Sequence, residues 1–186
     1  MANKDAAFGL KAIGKVGQNR DNQGLSEYDI AASATAIYQG DPVEMLATGT
    51  IGVAAAGDVL IGSLNGVFYT DASTSKPTWA NHLEAANTAT DIVGFVSDDP
   101  YERFEVQSAG TVAAADIGLC ADISYAAGSS PDYISKTEIS GTMATGTAQL
   151  KIIGVSKDPD NDELGAANAN VVVIINEHFL KQTAGI

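Results

Sequence analysis

Two histidines, one cysteine and two acidic clusters are the residues of this chain whose chemistry could go beyond packing. His82 and His178 stand far apart, and neither has a second histidine at metal-ligand spacing. With Cys120 as the single cysteine, a structural zinc site of the Cys/His kind cannot be assembled within one chain. Cys120 lies in the strand-like GLCADI, the setting of a small buried hydrophobe, against which stands a Cys-His nucleophile pair. Asp158, Asp160 and Asp162 have the alternate spacing that opens a calcium loop. Glu163 stands where that loop needs its glycine and Ala169 where it needs a bidentate Glu, so a solvated turn is expected. Asp98, Asp99 and Glu102 also read as an exposed, solubilising turn rather than a cation site. The chain shows no G-x-S-x-G elbow, P-loop or dinucleotide fingerprint. No catalytic, cofactor-binding or metal-ligating residue is assigned, and no enzyme is expected.

The elements that would position any site are strands. In DIVGFVSDDPYERFEVQ, residues 91–107, a short apolar run precedes an Asp-Asp-Pro turn, and period-two alternation follows. Phe104 and Val106 fall on one face, Arg103 and Glu105 on the other, which marks a half-buried antiparallel strand. Gly94 inside the apolar run signals a bulge or a close backbone approach. Asn65-Gly66 predicts a hairpin between residues 61–64 and 67–69. Thr48-Gly49-Thr50 predicts another between 43–46 and 51–55. Val171–Ile175 is β-branched on both faces and reads as a central strand. Residues 71–90 break the rhythm; Ser75-Lys76-Pro77 predicts one brief helix with Trp79, His82, Leu83 and Ala86 on one face. Residues 43–51 and 104–112 align at a constant offset, as a duplicated hairpin or as two generic Gly-Thr turns.

Composition agrees: 45% hydrophobic but only 18% charged, with Ala, Gly and Thr in place of Leu, Lys and Glu, which favours strands and tight turns over helices. The expected fold is all-β, a small antiparallel barrel or sandwich of about eight to ten short strands with at most one short helix. The expected core includes Phe95, Phe104, Val106, Leu150, Ile152, Val171, Val173 and Ile175. Residues 1–35 read as an extended N-terminal arm and 36–186 as the β-rich domain. Net charge is −13. Residues 1–20 carry Lys4, Lys11, Lys15 and Arg20 against Asp5, a local +3, which leaves −16 on the rest. An acidic body argues against binding nucleic acid or an anionic membrane. The basic arm suits an acidic protein surface, or its charges serve only solubility. The amino terminus lacks the apolar centre of a secretory signal, so no export is expected.

Several stretches resemble one family. MANKDAAFGLKAIG, GDPVEMLATGTIGVA, GVFYTD, DIVGFVSDDPYERFEVQ and VVVIINEH resemble segments of structural proteins from marine tailed bacteriophages. The resemblance implies a virion component, a head decoration or cement protein on the capsid surface, assembled in the host cytoplasm. It implies the major capsid protein as partner and a homo-oligomer, a trimer being favoured, with no cofactor, nucleic acid or membrane. The arm residues expected to touch the capsid are Phe8, Leu10, Lys11, Ile13 and Lys15. A tail, neck or fibre structural protein and a carbohydrate-binding β domain stand as alternatives, with Trp79, Tyr69, Tyr101 and Tyr133 as aromatic candidates for the latter.

Overall fold

The computed structural model describes residues 2–17 and 24–181. The polar run at 18–23, with Arg20, and the tail 182–186 lie outside the described residues. Thirteen strands appear among the described residues: β1 (Lys11–Lys15), β2 (Ser26–Asp29), β3 (Pro42–Met45), β4 (Ile51–Val53), β5 (Leu60–Thr70), β6 (Pro77–Ala80), β7 (Val93–Ser97), β8 (Glu102–Gln107), β9 (Cys120–Ala121), β10 (Ile123–Ser124), β11 (Glu138–Ile139), β12 (Leu150–Val155) and β13 (Asn170–Ile175). Two 3-10 turns, Ala114–Asp116 and Phe179–Lys181, are the only helical pieces described. Sheet I has the order β1-β8-β13-β12-β9, and sheet II the order β2-β7-β5-β3-β4 with β6 also beside β5. A small pair, β10-β11, completes the set. Strand pairing is antiparallel throughout these sheets. The fold is thus mainly β and fits a small sandwich; neither sheet closes into a barrel.

Residues 91–107 give the molecule its layout. β7 belongs to sheet II and β8 to sheet I, so the acidic turn at 98–101 carries the chain from one sheet to the other. The two strands that flank it do not pair with each other. β13 lies between β8 and β12, the central position its β-branched residues require. The buried residues form two clusters, the first mainly from sheet I with Leu60 of β5 joined to it, the second from sheet II and the loops beside it. Leu10, Phe104, Val106, Leu150, Ile152 and Val173 are among the buried residues of the first, and Ile37, Ile61, Leu64, Val67, Leu83 and Val96 among those of the second. Gly94 is a close approach: a Cβ there would stand 2.9 Å from Ile30 Cδ1 and 3.1 Å from Ile51 Cδ1.

Three expectations are corrected, and one open alternative is decided. Asn65-Gly66 makes no hairpin; β5 runs straight through it, and the register with β7 shifts between Leu64 and Gly66. Both residues tolerate the bulge as readily as a turn, and pairing with β3, β6 and β7 holds the strand extended. Residues 77–80 form β6, not a helix, because Asp71 caps the preceding turn: its Oδ1 accepts N–H bonds from Ser73 (2.9 Å) and Thr74 (2.8 Å). That turn folds β6 back onto β5 with Phe68 opposite Trp79. The segment after β8 does not repeat the β3-β4 hairpin; Ser108 bridges Ile139 instead. Phe95 is half-buried rather than core, on the face of β7 turned away from the second cluster.

Candidate functional site

Residues 3–16 are not a free arm. They form a strap that lies along sheet I and meets sheet II at Leu10. Its first turn is latched by buried amides. Gln107 Nε2 donates to Lys4 O (2.8 Å) and Gln107 Oε1 accepts from Ala6 N (2.9 Å), while Asn161 Nδ2 donates to Lys4 O (2.7 Å). Asn3 Nδ2 donates to Ala167 O (2.8 Å), and Lys4 pairs with Asp160. The acidic loop 158–163 therefore holds the strap; among the described residues no group of three ligating side chains could hold a metal ion.

The strap next meets sheet II. Leu10 N donates to Gly40 O (2.8 Å), and the buried Ser63 Oγ donates to Leu10 O (2.6 Å). Gly9 allows this approach, because its φ of +74° and its contact with Gly40 leave no room for a side chain. Leu10 is 1% exposed and belongs to the first core, so this expected capsid contact is corrected: its side chain is spent inside the protein. β1 then pairs with β8 as an edge strand. Gly14 N donates to Glu102 Oε1 (3.0 Å), and Lys15 Nζ lies 2.6 Å from Asp99 Oδ2. That bond holds the Asp99 carboxyl below the usual carboxylate range. Tyr28 OH donates to Asp98 Oδ2 (2.6 Å). Asp98, Asp99 and Glu102 are anchors for β1 and β2 at the crossing turn, which corrects their reading as a solubilising turn.

Four of the expected contact residues remain near the surface. Lys11 is exposed and pairs loosely with Glu105 (3.7 Å), Ile13 is 39% exposed, Phe8 is half-buried, and Lys15 is turned in to Asp99. Beside the strap opens a cleft of about 540 Å³, lined by Phe8, Leu10, Lys11 and Ala12 on one side and by Leu25, Ser63, Asn65, Ser97 and Ile134 on the other. Leu25 and Ile134 form an exposed apolar rim. The cleft volume lies within the range typical of binding pockets, and its lining is apolar with a few hydroxyls and amides. Nothing in it resembles a nucleophile with a base.

The remaining chemistry-bearing residues are placed elsewhere. His82 stacks on Tyr133, ring centroids 3.8 Å apart, and its Nδ1 lies 3.0 Å from Asn81 Oδ1. His178 is fully buried beside the crossing turn, its Nδ1 accepting from Leu180 N (3.1 Å). Burial, with Lys181 nearby, pushes it down to about 4. Asp41 is buried, and burial pushes its carboxyl up to about 6. Cys120 is buried and free. Of the aromatic candidates, Tyr69 packs against the second core and Tyr133 is stacked, while Trp79 and Tyr101 are exposed. The latch amides Gln107 and Asn161 and the rim residues Leu25 and Ile134 carried no local signal, since only tertiary pairing brings them to the strap. No family model, curated protein or solved structure matches the chain.

Proposed function

We propose that this protein binds the outside of a tailed-bacteriophage head and stabilises the shell, as a decoration or cement protein. The observation that carries the reading is the strap seated on the body. It presents Lys11, Ile13 and Phe8 next to an apolar cleft rimmed by Leu25 and Ile134. Such a surface takes an extended segment of a partner, with side chains entering the cleft and the exposed edge of β1 offering backbone pairing. The partner is the major capsid protein, and copies of the chain associate with one another over the lattice. Many weak sites on a repeating lattice act together through effective concentration. The resemblance of five segments to phage structural proteins supports the same role.

The test of placement is fractionation of purified virions into heads and tails, with the chain quantified in each. Recovery with heads, in copy number that scales with the shell subunits, is the expected result. Recovery with tails overturns the head reading and leaves the tail or neck reading.

A further inference from the structure

The two sheets present unlike outer faces. In sheet I, Phe104, Val106, Leu150, Ile152, Val171 and Val173 point into the core, so the residues between them point outward. Arg103, Ile174 and Lys151 stand opposite one another across β8, β13 and β12, with Val172 and the 37%-exposed Ile153 beside them. The one carboxylate that β8, β12 and β13 place on this face, Glu105, is already engaged by the Ser156 hydroxyl and Lys11. In a chain of net charge −13 this is a basic, aliphatic surface.

The face of sheet II turned from its core is its opposite in kind. Phe68 (41% exposed) stands opposite Trp79 (56% exposed), and the Trp79 ring lies 4.8 Å from that of Phe95. Glu27 is opposite Phe95, and Asp29 opposite Val93, on the same side as the aromatics because Tyr28 between them packs inward. The surface is acidic and aromatic. Exposed aromatic clusters rimmed by charge mark contact sites on a protein surface.

We propose that these two faces meet between copies of this chain, the basic aliphatic face of one docking on the acidic aromatic face of the next. Opposite charge orients the contact, and Trp79 and Phe68 supply its apolar anchor. Two different patches make the contact heterologous, so it propagates and closes into a ring if the rotation permits. Lys11, paired with Glu105, stands at the edge of this face, and the cleft beside the strap is left for another partner. The inference rests on the reading that copies associate, and is independent of shell binding.

The test is sedimentation velocity over a concentration series of the full chain, Trp79→Ser, Ile153→Asp, and an equal mixture of the two variants. Far-UV circular dichroism checks that each variant keeps its strands. The expected result is assembly of the unaltered chain and a weakening of at least about tenfold in each variant alone. The mixture should form a dimer and nothing larger, because one intact pair of faces remains. A second set, Lys151→Glu, Glu27→Lys and the two together, changes charge without touching a core; each single change should weaken assembly and the double change restore part of it. An unaltered chain that stays monomeric overturns both the association and its faces. Assembly of the unaltered chain that survives Trp79→Ser or Ile153→Asp overturns the faces and leaves association standing.

Discussion

His178 and Asp41 are both fully buried, and burial disfavours the charge of each, but their effects on stability run in opposite directions with pH. His178 falls from an ordinary 6.5 to about 4, so the unfolded chain binds its proton first. Its contribution is complete above pH 6.5 and is lost as pH falls through 4, a swing of about 3 kcal/mol. Asp41 rises from 3.8 to about 6, so its contribution is complete below pH 3.8 and is lost as pH rises through 6, about 3 kcal/mol again. Between pH 7 and 4 the two offset each other. Urea unfolding across that range should show His178→Gln gaining stability toward pH 4 and Asp41→Asn losing it, with the unaltered chain flatter than both. Profiles that stay superimposed would remove these two groups from the account. At the strap, Gly9→Ala sets a Cβ against the Gly40 carbonyl at a left-handed φ, and is expected to cost about 1–3 kcal/mol by thermal melting.

At the scale of elements, β1 is held by a ladder to β8, by the Lys15–Asp99 pair and by Leu10 in the core. Deleting residues 1–16 is therefore expected to destabilise the whole fold by several kcal/mol, since Leu10 alone leaves a cavity worth about 2–5 kcal/mol. Calorimetry that finds the truncated chain as stable as the full one would return the strap to the status of an appendage. The same elements show what was legible in sequence. β8, β12 and β13 were readable because each carries its own period or β-branched run. The β3-β4 hairpin was readable because Gly49, at φ +80°, sits in its turn. β6 was not, because Trp79, His82 and Leu83 have helical spacing, and only the Asp71 turn and the edge of β5 decide for a strand. β1 and β2 were missed for a related reason: both are short edge strands whose partners lie far along the chain.

In the whole molecule, two cores are tied by more than the crossing turn. Gln149, fully buried near the first core, donates to Ala55 O and Asp58 O beside β4 and β5 (both 2.8 Å), and Leu60 bridges His178. These ties should make unfolding a single transition. Fluorescence of Trp79, the one tryptophan, reports sheet II, and far-UV dichroism reports both sheets, so the two denaturation curves should coincide. Separate midpoints would show the sheets unfolding independently. The candidate site was half legible. Phe8, Lys11 and Ile13 could be named from the mildly basic, sparsely hydrophobic start of the chain. The cleft could not, because Leu25 and Ser97 are brought together by the β2–β7 pairing and Ile134 by its bridge to Gln39, contacts between residues far apart in the chain. The most direct test of shell binding is a binding isotherm of the purified protein on head shells that lack it, repeated with Lys11→Gln/Ile13→Asp in place of any truncation. Saturable binding that this double substitution weakens by about tenfold or more, with the melting curve unchanged, is the expected result. No saturable binding of the unaltered protein would contradict it.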